Sequence, residues 1–264
     1  MKTQSGNYLE NLSQSIKRSV TLKLLSIFIM MMLLLIPVSI IKSVIQERED
    51  LRQETISEVS NQWANGQTVY GPILTIPLQK KVIENEKVII IHEQAHILPS
   101  RLEVGGTVTP RNLRRGIYEV VVYDSRLSFS GQFSEIEEHL STLKDYEAFP
   151  QEAFLTIHIS DLRGVKEKVV FNWNGQKKNV VPGSGIPLMV SSGITIKDIL
   201  GQGNNPTDEF SFDLQLQGSQ FLNFIPLGKE TAIHLDSEWK APSFTGSFLP
   251  ENRIVTDEGF TADW

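Results

Sequence analysis

Hydrophobic and polar positions along the chain follow three successive patterns, and the first is an unbroken apolar run. Residues 24–41 (LLSIFIMMMLLLIPVSII) contain 18 residues without a charge. As a helix this run would be about 27 Å long, close to the roughly 30 Å hydrocarbon core of a bilayer. It exceeds the apolar part of a signal peptide, and no A-x-A-like cleavage site follows. The pattern therefore predicts a transmembrane helix that remains as an anchor, rather than a buried core helix or a cleaved leader.

Helical spacing continues beyond the apolar run, but the residues become charged. In residues 42–66, acids and bases alternate while Ile56, Val59 and Trp63 recur on one helical face. This pattern predicts a helical stalk that holds the following domain off the bilayer. A helix that binds a partner through its apolar face is the alternative.

From residue 67 to the end, apolar residues recur at every second position. In FSFDLQLQ, Phe210, Phe212, Leu214 and Leu216 alternate with polar residues, as expected of a half-buried strand. Similar runs recur along the segment, and Asn174-Gly175 predicts a tight hairpin between two of them. The segment 67–264 is therefore predicted to be mainly β, an antiparallel β-sandwich-like domain.

One short helix is predicted inside this β region. In SEIEEHLSTLKDYEAFP, Ser134 and Glu137 match a capping box, and Pro150 provides a stop. Ile136, Leu140 and Leu143 would share its apolar face.

Charge is distributed unevenly about the apolar run. Residues 1–42 carry a net charge of +4, whereas residues 43–264 carry −10. The positive-inside rule places residues 1–23 in the cytoplasm and the β domain on the opposite side of the membrane. An acidic exported domain argues against nucleic acid as a partner, so the expected partners are the bilayer, through residues 24–41, and an unidentified envelope protein.

One short motif is typical of catalysis. His92, Glu93 and His96 match H-E-x-x-H, which binds zinc when both histidines lie on one helical face. Ile89–Ile91 precede the motif and Pro99 follows it, which favours a strand. On a strand the two histidines would lie about 13 Å apart, too far to share a metal. We therefore predict no catalytic, cofactor-binding or metal-binding residues, and the chain has no cysteine.

Several sequence blocks resemble the CreD family of bacterial inner-membrane proteins. After the basic-flanked apolar run, they are WANGQTVYGPILTIP (residues 63–77), RRGIYEVVVY (114–123), SDLRG (160–164), LQGSQFLNFIPLGKET (216–231), SEWKAPSFTGSFLP (237–250) and GFTADW (259–264). The resemblance implies an inner-membrane location, a periplasmic domain and a role in cell-envelope integrity and stress response. It implies no catalytic residues. In that family a multi-span region follows the segment that matches residues 253–264, so the resemblance covers only the anchor and the periplasmic domain. The chain is then expected to be either a truncated or split gene product or a fragment of a longer protein.

Three functions follow as hypotheses. The first is a non-enzymatic inner-membrane protein that contributes to envelope integrity and stress response through its periplasmic domain. The second is an exported zinc hydrolase that uses His92, Glu93 and His96. The third is a sensor or regulator of envelope stress that passes a signal through the single span.

Overall fold

A long N-terminal helix comes first in the structure. The computed structural model of the protein describes residues 20–84, 87–200 and 207–264. Helix α1 spans Val20–Trp63 without interruption and contains Pro37. In this described part of the chain, α1 is the one helix long and apolar enough to cross a membrane, and its apolar stretch is not buried by protein. The predicted apolar helix and its charged continuation are thus a single element.

Two compact units divide the chain, with the boundary after Thr55. The first unit contains most of α1. The second unit, Ile56–Trp264, contains the last turns of α1 and all the strands, and we call its strand-containing part the β body.

In the part of the chain that the structure describes, the strands of the β body form two sheets. The first has the order β12-β1-β6-β10-β9, and β2 and β5 also pair with β1; the second has the order β14-β15-β13-β3-β4-β11-β7-β8. The strands are β1 (Gln67–Glu84), β2 (Lys87–Ile97), β3 (Arg101–Arg115), β4 (Tyr118–Ser134), β5 (Glu147–Ala148), β6 (Phe154–Ile159), β7 (Phe171–Trp173), β8 (Gln176–Lys178), β9 (Val180–Pro182), β10 (Gly193–Ile196), β11 (Thr207–Ser219), β12 (Leu222–Ile225), β13 (Glu230–Ser237), β14 (Asn252–Val255) and β15 (Phe260–Asp263).

The strand pairs are mostly antiparallel, which confirms the predicted fold class. Among the described residues, two pairs are parallel, β1 with β12 and β3 with β13. Parallel partners require a long connection rather than a hairpin, so the local hydrophobic pattern did not indicate them.

One hydrophobic core contains residues from both sheets. Leu74 and Leu155 contribute from the first sheet, and Phe129 and Phe212 from the second. The rings of Phe129 and Phe212 stack with their centroids 4.6 Å apart. The alternation predicted for β11 is confirmed, because its four apolar side chains are buried. Burial of large apolar surfaces from two facing sheets is the main stabilising contribution of a sandwich-like core.

The predicted hairpin at Asn174-Gly175 is also confirmed. It connects β7 to β8, with Trp173 opposite Gln176. Asn174 and Gly175 have φ values of 49° and 76°. Positive φ at both central residues is what a tight hairpin of this type requires, and Asn-Gly adopts it with little strain.

A short helix follows β4, but the predicted capping box is wrong. Helix α2 spans Ile136–Ser141 and begins after Glu135, which has a φ of 61° and makes no side-chain cap. Ser134 is instead the last residue of β4, and its hydroxyl lies 3.0 Å from that of Ser100. The Ser134 hydroxyl therefore forms a hydrogen bond within the sheet and does not cap the helix. Pro150 begins a 3-10 helix, Pro150–Glu152, and a second one spans Leu162–Gly164.

Candidate functional site

The segment carrying the H-E-x-x-H match lies on strand β2, as the β-branched context predicted. His92 is opposite Gln79 and His96 is opposite Thr75, so the histidines are four residues apart along an extended strand. That spacing corresponds to about 13 Å. His96 Nδ1 lies 3.1 Å from the Thr75 hydroxyl, and partial burial lowers its pKa. Residues 20–84, 87–200 and 207–264 contain no group of three or more metal-ligating side chains placed to bind one ion.

Two other histidines have specific neighbours. His158 stacks on Tyr70 with 4.3 Å between ring centroids, and its Nδ1 lies 2.8 Å from the Ser192 carbonyl oxygen. His234 lies between two carboxylates, with Nδ1 2.6 Å from Asp263 and Nε2 3.3 Å from Asp236. The hydrogen bond to Asp263 is the main reason that the pKa of His234 is raised. This group is exposed, and only the pairing of β13 with β15 brings it together.

The most extensive polar arrangement lies where α1 ends. We call it the helix-end junction and define it by Ser60, Asn61, Ala64, Asn65, Gln67, Asp161, Arg163, Gln217 and Ser219. These residues come from the end of α1 and the start of β1, from the SDLRG segment, and from the end of β11. All but two of them, Ser60 and Asn61, fall in blocks that carry the family resemblance. The fold brings three distant blocks of sequence to one place.

An arginine–aspartate pair terminates the helix. Arg163 donates from Nε to Asp161 Oδ1 at 2.9 Å and from Nη2 to Oδ2 at 2.6 Å. Its Nη1 donates to the Asn61 carbonyl oxygen at 2.9 Å. The last carbonyls of a helix lack intrahelical partners and carry partial negative charge, so a guanidinium stabilises them. Asp161 completes the connection by accepting from the Asn65 backbone N–H at 3.1 Å.

These contacts determine the charge state of Asp161. The hydrogen bond from Arg163 lowers the pKa of Asp161 to about 2, and backbone N–H groups of Asn65 and Arg163 act in the same direction. The partner of Asp161 in this ion pair is Arg163, two residues further along the chain. A permanently ionised carboxylate with a bidentate arginine is suited to structural attachment and not to proton transfer near neutral pH.

A buried glutamine connects the other segments. Gln67 Nε2 donates to the carbonyl oxygens of Asp161 and Gln217, both at 3.0 Å. Its Oε1 accepts from the Ser160 hydroxyl and from the Asp161 N–H. The side chain therefore uses both donors and both acceptor positions, as a buried amide must to avoid a desolvation cost. Sequence reasoning did not identify Gln67, because a lone glutamine at the start of a strand carries no recognisable pattern.

Apolar contacts accompany the polar ones. Val59, with Ile56 and Trp63, packs on Val120 and Val122 of β4. Ser219 lies 2.8 Å from both the Ser60 hydroxyl and the Ala64 carbonyl oxygen. The apolar face of the predicted stalk is therefore covered by the β body over the last two turns of the helix. The ends of a helix are commonly fixed by this combination of a capped terminus and a buried apolar face.

The C-terminal aromatic residues pack against one another. Phe244 makes edge contacts with Phe260 and Trp264, with centroids 5.3 and 5.6 Å apart. Trp264 Nε1 donates to the Phe248 carbonyl oxygen at 3.3 Å. These contacts connect the last block of the chain to the segment before β14.

Comparisons with known proteins agree with this architecture. A family model described as inner membrane protein CreD matches residues 19–264. The inner membrane protein CreD of Escherichia coli (strain K12) is 29% identical over 246 residues, which cover 92% of this chain and 54% of that relative. The chain thus spans about half the length of the curated relative that it matches. With a match over nearly all of its residues, the chain belongs to the CreD family of inner membrane proteins.

Proposed function

We propose that this protein is a non-enzymatic component of the inner membrane whose β body faces the periplasm and contributes to cell-envelope integrity and the stress response. The observation that carries the proposal is the helix-end junction. A helix with a membrane-length apolar run ends in an arrangement in which blocks shared with the family attach it to the β body. The sequence blocks that resemble the family thus attach the helix to the β body at this junction. Such an arrangement suits a protein that acts by holding a domain at the membrane and contacting other molecules, rather than by catalysis.

Charge supports the proposed orientation. The residues before and immediately after the apolar run are basic on balance, whereas the remainder of the chain is strongly acidic. Basic segments are retained in the cytoplasm during insertion, so the β body is the exported part.

The absence of cysteine makes the orientation directly testable. Leu188→Cys places a thiol at a fully exposed position of the β body, and Ser5→Cys places one in the segment proposed to be cytoplasmic. A membrane-impermeant maleimide should label Leu188→Cys in intact spheroplasts and label Ser5→Cys only after permeabilisation. The opposite pattern would contradict the proposed orientation.

The envelope role requires a cellular experiment. Deletion of the gene should increase leakage of a periplasmic marker enzyme under osmotic or detergent stress, and the chain supplied in trans should restore retention. A variant carrying His92→Ala and His96→Ala should restore retention as well as the unmodified chain, because the proposal assigns no catalysis to these residues. Full loss of rescue by this variant at normal abundance would instead favour the zinc hydrolase.

A further inference from the structure

The hairpin formed by β1 and β2 presents unusual exposed apolar surface. The two strands pair without a bulge from Leu74 opposite Ile97 to Glu84 opposite Lys87. Strand β5 pairs with β1 at Leu78 and Gln79. From residue 80 to residue 84, the described part of the chain provides β1 with one neighbouring strand, β2. The exposed apolar side chains of this outer part, with their exposed fractions, are Ile83 77%, Val88 64%, Ile89 42%, Ile90 49% and Ile91 40%.

The outer edge of β2 is open over its whole length. Within residues 20–84, 87–200 and 207–264, β2 pairs with β1 alone. Natural edge strands are normally short, bulged or interrupted by proline, since a long flat edge offers unpaired N–H and C=O groups to another strand. Strand β2 is 11 residues long, has a continuous register and contains no proline. Its β-branched run, Val88–Ile91, is also the composition that favours strand pairing.

We propose that the edge of β2 pairs with the same edge of a second copy of this chain, antiparallel and about a two-fold axis at Ile90. In an antiparallel pair, directly opposed residues lie on the same face of the sheet. In a symmetric pair of identical strands, the two-fold axis must therefore pass beside one residue, the centre of the pair, which faces its own copy. The segment Val88–Ile91 offers few residues for this position. Self-complementarity of this kind is what an interface with two-fold symmetry requires.

Charge selects Ile90 among these centres. With Ile90 on the axis, Ile89 faces the second copy's Ile91, and Lys87 faces the second copy's Glu93. This ion pair occurs twice because of the symmetry. A centre at Ile91 would instead place Ile89 opposite Glu93, and a centre at His92 would oppose two histidines. Opposite charges across strands are favourable, whereas burying an unpaired charge beside apolar side chains is costly.

An acidic side chain argues against the bilayer as the occupant of this surface. Glu84 is the last residue of β1. Insertion of this end of the strand pair into lipid would bury the Glu84 carboxylate, which is unfavourable in the hydrocarbon. A strand from another protein chain that pairs with β2 leaves Glu84 outside the interface. Glu93 also lies beside Tyr146, and a hydrogen bond with Glu93 is the main reason that the pKa of Tyr146 is raised.

Disulfide trapping in the full-length chain tests the proposal, because no native cysteine interferes. Ile90→Cys should give a disulfide-linked dimer in membranes under mild oxidation, since opposed residues have Cα atoms about 4.5–5.5 Å apart and a disulfide needs about 4.4–6.8 Å. Gln94→Cys is the matched control on the same face of the same strand. Its two thiols would lie about 26 Å apart across the axis, so it should not cross-link.

Charge reversal provides a second readout in the Ile90→Cys background. Lys87→Glu and Glu93→Lys should each lower the yield of cross-linked dimer, and the two together should restore it. Equal cross-linking by Ile90→Cys and Gln94→Cys would indicate random collision and overturn the proposal. It would also be overturned if Ile90→Cys gave no dimer, cross-linked to a different protein, or gave the same yield with every charge variant.

Discussion

At the scale of single residues, Asp161 and Gln67 contribute most to the helix-end junction. Asp161 is nearly buried, with 11% of its side chain exposed, and it accepts hydrogen bonds from Arg163 and from the backbone of Asn65. Gln67 fills all of its hydrogen-bonding positions. Ion pairs on the open surface contribute little to stability, whereas hydrogen bonds to a sheltered charge contribute more.

Replacing Asp161 with asparagine should reveal this contribution. We expect Asp161→Asn to lower the free energy of unfolding at pH 7 by about 1–3 kcal/mol, because charge-assisted hydrogen bonds are lost. The pKa of Asp161 is lowered to about 2 in the folded protein, below the usual aspartate value of about 3.9. Its stabilisation is therefore complete above about pH 5 and is lost as the pH falls towards 2. The difference between the two proteins should shrink over that range.

The measurement is chemical unfolding of the full-length chain in detergent, followed by tryptophan fluorescence at several pH values. Asp145→Asn is the control, because Asp145 pairs with Lys80 but its side chain is 74% exposed. That change should cost no more than about 1 kcal/mol. A constant difference between Asp161→Asn and the unmodified chain from pH 7 to pH 2 would show that ionisation of Asp161 does not stabilise the fold.

At the scale of elements, the end of α1 depends on a close approach between the 3-10 helix at Leu162–Gly164 and strand β11. Gly164 is buried, and a Cβ atom there would overlap the Gln217 carbonyl oxygen and the Gln67 side chain. Only glycine permits this approach, since every other residue would push the two backbones apart. The same separation would move Asp161 and Arg163 away from the helix end.

Gly164→Ala should therefore destabilise the β body by about 1–3 kcal/mol, as overpacking of a filled interior usually does. Gly105→Ala is the matched control in strand β3, where a new Cβ would meet only the rotatable Ser128 hydroxyl at 3.3 Å. Thermal unfolding of the two variants in detergent compares them directly. Equal melting temperatures of the two variants would mean that the segment containing Gly164 can shift without a loss of stability.

The helices, strands and turns also show which features can be predicted from the local pattern of residues. The strand alternation in β11, the Asn-Gly hairpin and the strand conformation of the H-E-x-x-H segment followed from residue spacing and β-branched content. The capping box at Ser134 failed because β4 continues through that residue and the sheet uses its hydroxyl. Two matching residues predict a cap only where no other element competes for them.

At the scale of the whole molecule, the apolar run should determine where the protein resides. Twelve of the 18 residues in the run are Leu, Ile, Phe or Val, each worth about −0.3 to −0.6 kcal/mol at the centre of a membrane helix. Arginine there costs about 2.5–3.5 kcal/mol. Together, Leu33→Arg and Ile36→Arg should therefore offset the insertion free energy.

Fractionation after an alkaline carbonate wash measures the effect. The doubly substituted arginine chain should leave the membrane pellet, whereas Leu33→Ala with Ile36→Ala should remain in it. Retention of the arginine variant in the washed pellet would show that another part of the chain holds it to the membrane.

The sequence by itself determined the apolar helix, the mainly β class and the family, because each depends on spacing or on residues that are contiguous in the chain. The two parallel strand pairs, the helix-end junction and the open edge of β2 were decided only by the tertiary structure. Gln67 lies 150 residues from Gln217 and 94 from Asp161. Contacts over such separations depend on how the sheets assemble, and no local periodicity records which distant backbone a side chain will meet.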